Sequence, residues 1–229
     1  MNPAPRPNLI DEMTMQRLAM VDWLRGHYKI ADERVLEVMG VLPRHLFVPQ
    51  AIKSQAYKDN ALPISGGQTI SQPFIVARMT ELLELTGQEK VLEIGAGSGY
   101  QTAVLASLAR KIFAIERLSN LADEAKRRMA SLGIRNVTLK AADGTTGWDT
   151  YKPFDAILVA AGGPGIPEPL VDQLKIGGKL VIPVGKDRQK QHLVRVTRTE
   201  VGHKKEDFGP CAFVPLIGEH GWDAAGHEG

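Results

Sequence analysis

Gly95, Gly97 and Gly99 stand at alternate positions, directly after the short apolar run Lys90-Val91-Leu92-Glu93-Ile94. They open straight into Tyr100-Gln101-Thr102-Ala103-Val104-Leu105-Ala106-Ser107-Leu108-Ala109. The first run reads as a buried strand and the last as a helix. Glycine tolerates positive φ and lets a ligand approach the backbone closely, and a helix start offers unpaired N–H groups. A strand, a glycine turn and a helix N-terminus together form a ligand cradle. The spacing G-x-G-x-G is not the G-x-G-x-x-G of dinucleotide sites. Glu93, so close before the first glycine, is also out of place beside a pyrophosphate. The pattern fits a cofactor without phosphates, and S-adenosylmethionine is the foremost candidate. A plain strand–helix turn with no ligand is the alternative for this segment taken alone.

From Lys90 onward the chain alternates. Strands are expected at 90–94, 111–116, 136–142, 154–160 and 179–184, with helices at 100–109, 119–132 and about 167–175. Gly133 stops the second helix, as a C-terminal glycine does. Alternating strands and helices with short connections imply a parallel sheet covered on both faces. After Lys186 the segments QHLVRVTRTE and FGPCAFVPLIG read as strands with no helix between them, a closing antiparallel hairpin. Before the sheet, residues 14–60 are helical in pattern. Leu18, Val21 and Leu24 share a face that Met20 and Trp23 widen. A second helix starts near Asp32, carries Val35, Leu36, Val38 and Met39, and ends at Pro43. The hydroxyl-rich ALPISGGQTISQP follows as a loop or hairpin, and FIVARMTELLEL after Pro73 is again helical.

The fold class is therefore α/β, a doubly wound Rossmann-like sheet with an N-terminal helical extension and a C-terminal antiparallel hairpin. Residues 1–13 and 223–229 are expected as flexible tails around one domain, 14–222, made of N-terminal helices and loop (14–85) and a Rossmann-like core (86–222). At 229 residues the chain can bury a full core. Its net charge of +2 is too small for a nucleic-acid footprint. No run of about 18 apolar residues suggests a membrane span, and the Pro-rich start is not a signal peptide, so the cytoplasm is the expected compartment. One cysteine and six scattered histidines offer no zinc set, and no metal is expected.

Ligands of such sheets lie outside the carboxyl ends of the strands. Polar groups fall at successive strand ends here. Glu93 and Gly95 end the first strand. Glu116 ends the second, about 20 residues past the glycine loop, where a carboxylate can accept from both ribose hydroxyls. Asp143-Gly144 ends the third, where a carboxylate could accept from an exocyclic amine. Ala160-Ala161-Gly162-Gly163-Pro164 ends the fourth with side chains small enough to leave room for a ligand. Taken singly, Glu116 could be a surface carboxylate and Asp143 an Asp-Gly turn.

The chain resembles the protein-L-isoaspartate (D-aspartate) O-methyltransferases of bacteria and archaea, from about Met15 to Trp222. The resemblance rests on Pro43-Arg44-His45-Leu46-Phe47-Val48-Pro49, on Gly67-Gln68-Thr69-Ile70-Ser71-Gln72-Pro73, and on VLEIGAGSGYQTA. Asp143-Gly144, Pro153-Phe154-Asp155-Ala156-Ile157 and the run Leu174 to Gly185 add to it. The cofactor half is shared by methyltransferases at large; the Q-T-I-S-Q-P loop separates this family from them. The resemblance implies a monomeric cytosolic enzyme that uses S-adenosylmethionine to methylate the α-carboxyl of L-isoaspartyl residues in damaged proteins. It implies Ser71 as the active-site serine, with Thr69, Ile70 and Gln72 lining the methyl-transfer site. It places Glu93, Ile94, Gly95, Ala96, Gly97, Glu116, Asp143 and Gly144 against the cofactor. Val214, Pro215, Leu216 and Ile217 fall in the family's C-terminal substrate segment. Two departures stand out. Where many relatives have an A-x-P-P-like turn, this chain reads Ala161-Gly162-Gly163-Pro164-Gly165, extra glycine that would loosen the substrate rim. Where animal members carry a histidine, five positions after the serine, it has Val76.

The implied chemistry asks little of the protein. An aspartyl-type carboxyl, with a reference pKa of about 3.9, is already ionised at neutral pH, so no general base is needed. Ser71 has no evident His/Asp pair in the sequence and reads as a hydroxyl that aims the carboxylate, not as a nucleophile. Two other readings remain at this stage: a small-molecule or RNA methyltransferase on the same fold, and a cofactor-binding protein that has lost catalysis.

Overall fold

The structure is a computed structural model that describes residues 11–223. Most of the two expected tails therefore lies outside the described residues. Asp11, the first described residue, pairs with Arg17 at 2.8 Å.

The N-terminal layer is built from α1 (Thr14–Gly26) and α2 (Glu33–Val41). They bury Leu24, Leu36 and Met39 in one cluster with the start of the helix that follows the glycine loop. The Asp32 carboxylate caps α2 by accepting from Arg34 N–H at 3.0 Å. Pro43 follows its end, and two short turns, Arg44–Phe47 and Gln50–Gln55, lead to a small antiparallel pair. This pair, β1 (Leu62–Pro63) and β2 (Thr69–Ile70), closes through Gly66 and Gly67, both at positive φ. Then α3 (Pro73–Leu82) starts with proline in its first turn, where the missing N–H costs nothing.

The sheet comprises β3 (Lys90–Ile94), β4 (Lys111–Glu116), β5 (Val137–Ala141), β6 (Phe154–Val159), β7 (Leu174–Asp187), β8 (Lys190–Thr199) and β9 (Gly202–Cys211). Helices α4 (Tyr100–Leu108), α5 (Ser119–Ser131) and α6 (Glu168–Asp172) connect them. Strand order is β5-β4-β3-β6-β7-β8-β9, parallel from β5 through β7 and antiparallel from β7 to β9. The chain reverses its winding between β3 and β6, the point where open α/β sheets bind ligands. Both faces are apolar, as a doubly covered sheet requires. Leu92, Ile94, Phe113, Ile115, Ile157 and Val159 face one side. Val91, Ile112, Ala114, Ala156 and Leu158 face the other.

The expected strands and helices are present, with two differences. The segment expected as helix to about 175 is helical only over Glu168–Asp172, and β7 already begins at Leu174. Its pairing with β6 shifts register between Phe154 and Ala156, and Gly177 at φ 80° absorbs the irregularity. The last strand is the charged GHKKEDFGPC, not FGPCAFVPLIG. An edge strand is the place for lysines and carboxylates. Residues Phe213–Ile217 leave the sheet and run as a strap back to the ends of the parallel strands.

Candidate active site

Gly95, Gly97 and Gly99 take φ of 85°, 52° and 86°, the left-handed region where a side chain is strained. The loop is tied down at both ends: Gly95 N–H and Ala96 N–H donate to the Ile115 carbonyl at 2.8 and 3.3 Å, and Gly99 N–H donates to the Ala96 carbonyl at 2.8 Å. A cleft opens over this loop at the winding reversal. It is lined by Ile94, Gly95, Gly97, Ile115 and Glu116, together with Gly144, Ala160 and Ala161. Gln68 and Thr69 from the hairpin and Val214, Pro215, Leu216 and Ile217 of the strap also line it. Gly144 is demanded by packing, since a Cβ there would collide with Ile94 Cγ2.

Glu116 is nearly buried and accepts from Gly97 N–H at 2.8 Å and Leu118 N–H at 2.9 Å, one bond to each oxygen. A carboxylate has about four acceptor positions, so each oxygen retains one for a hydroxyl in the cleft. The cradle thus fits S-adenosylmethionine: backbone that no side chain obstructs, and a fixed carboxylate for a ribose. Glu116→Ala should weaken cofactor binding by roughly 1–3 kcal/mol, because it removes charged hydrogen bonds and releases Gly97 as well. Unchanged calorimetric affinity would remove Glu116 from the ribose site.

Glu93 does not line the cleft. Strand alternation turns it to the Val91 face, under α4, while Ile94 reaches the cleft. It is wholly buried and neither oxygen has a hydrogen bond to any described residue; Thr102, on α4, is close enough to act on it but outside bonding geometry. Burial drives its pKa from 4.5 up to about 8, with Thr102 pulling it back and the Glu116 charge adding to the rise. A raised pKa stabilises the fold fully below pH 4.5, and that contribution is lost as pH climbs through about 8. Glu93→Gln removes the titration, so its Tm should gain on wild type steadily between pH 5 and pH 9. A constant difference would mean that Glu93 is already ionised in the fold.

Asp143 is likewise absent from the cleft lining, and its carboxylate bonds Thr145 and the backbone of Glu219. Its Oδ1 accepts from the N–H and hydroxyl of Thr145 at 2.8 and 2.7 Å, and its Oδ2 accepts from Glu219 N–H at 2.8 Å. Burial pushes its pKa up, but these bonds and the nearby His220 outweigh it and hold the carboxyl below its ordinary range. The carboxylate therefore pins the strap just beyond Ile217, while its neighbour Gly144 faces the cleft. The glycine-rich turn is pinned rather than loosened. Gly162 N–H donates to the Val214 carbonyl and the Gly162 carbonyl accepts from Leu216 N–H, both at 2.8 Å. Trp222 Nε1–H adds a third bond to Gly162, and a Cβ there would strike the buried Gln191 amide. Gly162 is a close-packing requirement.

Ser71 lies half-buried between β2 and α3, and its hydroxyl makes no hydrogen bond to any described residue. Ile70 is buried in the N-terminal cluster, Ala96 packs on the α3 side, and Gln72 precedes Pro73 as the residue that starts α3. Val76, in place of the histidine, is a core residue. Gln68, Ile115, Arg117 and Leu118, none a site candidate from the sequence, also line the cleft, and Ala160 and Ala161 line it at the strand end expected to leave room for a ligand. Their signal was adjacency, since each adjoins a glycine loop, the Q-T-I-S-Q-P loop or a strand end.

A glycine cradle at the reversal of a doubly wound sheet, with a carboxylate at the next strand end, defines a Rossmann-like methyltransferase. The family model for protein-L-isoaspartate(D-aspartate) O-methyltransferase matches residues 15–221. A protein-L-isoaspartate O-methyltransferase of Syntrophus aciditrophicus is 55% identical over 217 residues, 93% of this chain and 99% of that one. Another, of Dictyoglomus thermophilum, is 53% identical over 92% of this chain and 95% of its own. A Plasmodium falciparum structure, titled a putative protein-L-isoaspartate O-methyltransferase in complex with S-adenosyl-L-homocysteine, superposes with TM-score 0.76 at 25% identity, covering 88% of this chain and 98% of that one. The chain belongs to the protein-L-isoaspartate(D-aspartate) O-methyltransferase family.

Proposed function

We propose that this chain transfers the methyl group of S-adenosylmethionine to the α-carboxyl of L-isoaspartyl residues in damaged proteins, the first step of their repair. The observation that carries this reading is the meeting of three elements at one cleft: the glycine loop with Glu116, the strap Val214–Ile217, and the Q-T-I-S-Q-P hairpin whose Thr69 lines it. Gly95, Ala96 and Gly97 with Glu116 and Gly144 hold the cofactor, Ile94 packs beneath it, and Ser71 with Thr69, Ile70 and Gln72 forms the methyl-transfer end. The bound cofactor supplies an electrophilic methyl on a sulfonium. The protein orients an ionised carboxylate toward it and keeps water away. An anion and a cation become two neutral groups, so orientation and exclusion of water lower the barrier. The strap, pinned along one edge by Gly162, offers its other edge to an extended peptide.

We infer further that the enzyme acts as a cytoplasmic monomer on protein substrates, without a nucleic-acid or membrane partner. The near-neutral charge supports this, and no helix among the described residues is long and apolar enough to cross a membrane. The test of the activity is methyl transfer from labelled S-adenosylmethionine to a synthetic isoaspartyl peptide. Absence of transfer by folded, cofactor-binding protein would refute it.

A further inference from the structure

Arg44 is fully buried in the turn that follows α2. Its Nε–H donates to the Ala56 carbonyl at 2.7 Å and its Nη2–H to the Ser71 carbonyl at 2.8 Å. The guanidinium carbon lies 4.8 Å from the centre of the Tyr100 ring. Tyr100 is the first residue of α4, immediately beyond the glycine loop. Among the described residues Nη1 has no hydrogen-bond partner and Arg44 forms no ion pair. Burial lowers its pKa only to about 10, so it stays charged at neutral pH. An unpaired buried cation is expensive, and methionine or leucine would fill such a position at lower cost.

The costly group sits where two halves of the site must be held in register. One half is the Ser71 loop. The other is the glycine loop, whose continuation begins with Tyr100. Methyl transfer needs the carboxylate in line with the methyl group, and an error of about 1 Å costs on the order of 100-fold in rate. Arg44 spans that gap. It holds the Ser71 main chain by a directed hydrogen bond and places its guanidinium carbon over the ring of the residue that opens α4. Only a flat, forked donor can do both together; a lysine ammonium can reach one carbonyl but cannot stack in the same way.

The charge argues for action at one remove. Negative charge on the carboxylate diminishes in the transition state and is gone in the ester. A cation in direct contact would stabilise the ionised carboxylate more than the transition state and slow the reaction. A guanidinium spent on the Ser71 carbonyl aims the loop without quenching the nucleophile.

We propose that Arg44 is the positioning residue of methyl transfer: it fixes Ser71 relative to the cofactor loop from behind, without touching substrate. This rests on the assignment of the methyl-transfer end to Ser71. The test compares Arg44→Met and Arg44→Lys with wild type in steady-state turnover on an isoaspartyl peptide, with S-adenosylmethionine affinity measured by calorimetry. In Arg44→Met, kcat should fall on the order of 100-fold, with about a 10-fold loss in Arg44→Lys, which rescues one of the two bonds. Peptide KM and cofactor Kd should both stay within about threefold of wild type, since a lost alignment acts on the transition state and not on ground-state binding. A rise in peptide KM with kcat unchanged would make Arg44 a carboxylate ligand and overturn the proposal. A fall in cofactor affinity that matches the fall in kcat would make it part of the cofactor cradle and overturn it equally. Should Arg44→Met fail to fold, Arg44→Lys decides by the same split. Ser71→Ala, assayed alongside, separates the two ideas. Wild-type turnover there refutes the Ser71 assignment, whereas a defective Ser71→Ala beside fully active Arg44 variants refutes the positioning role alone.

Discussion

An isoaspartyl peptide given to this enzyme with S-adenosylmethionine should become a base-labile methyl ester, while its normal aspartyl isomer should react at least about 100-fold more slowly. The two peptides have the same atoms and charge. In the isoaspartyl form the main chain runs through the β-carbon, and the α-carboxylate hangs from it as a pendant group. In the normal form the side-chain carboxylate points from the chain in another direction and by another number of bonds. The structure supplies a fixed frame against which such a difference counts. The strap Val214–Ile217 is held on one side by the Gly162 backbone and at its far end by Asp143, through Glu219 N–H. An extended peptide laid along it would have its direction set. The glycine loop, anchored to the Ile115 carbonyl, sets the other reference. On the proposed docking, a pendant carboxylate that reaches the methyl group from one isomer would reach it from the other only by displacing the main chain from the strap. Comparable rates on both peptides, or a base-stable product, would overturn the substrate assignment.

The legibility of this site in the sequence follows the range of the contacts that build it. The glycine loop and Glu116 were readable because they depend on local chemistry: a strand period, a left-handed turn and a helix start in one run of residues. Glu93 shows the limit of adjacency. It lies beside the loop in sequence, yet the period of two along β3 turns it away from the cleft that Ile94 enters. Asp143 was legible as a strand-end carboxylate, but its partner Glu219 is 76 residues on, and nothing local announces that contact. The strand β9 was hidden because an edge strand need not be apolar, and its lysines mask the pattern. Arg44 sat within the readable motif Pro43 to Pro49, where an arginine suggests a surface. Its burial depends on Ala56, Ser71 and Tyr100, three separate stretches of chain.

Ser71→Ala should lower turnover on an isoaspartyl peptide on the order of 10- to 1000-fold while leaving cofactor affinity nearly unchanged. The main chain of Ser71 is fixed by Arg44, and its hydroxyl has no hydrogen bond to a described residue. A half-buried hydroxyl without a protein partner, on a main chain that is held in place, is free to donate to an incoming carboxylate. No histidine or carboxylate among the described residues hydrogen-bonds it to take its proton, so on the proposed reading the hydroxyl would orient the carboxylate and not attack. An orienting bond is one contribution among several. The glycine loop, Glu116 and the strap still bring cofactor and peptide together in the variant, which is why the loss should be partial. The contrast with Glu116→Ala sharpens the test, because that variant should lose cofactor affinity and this one should not. Wild-type turnover by Ser71→Ala would end the catalytic role of the hydroxyl. A loss of cofactor affinity equal to the loss of turnover would instead make Ser71 part of the cofactor site, and the carboxylate would then have to be aimed by the backbone of the hairpin alone.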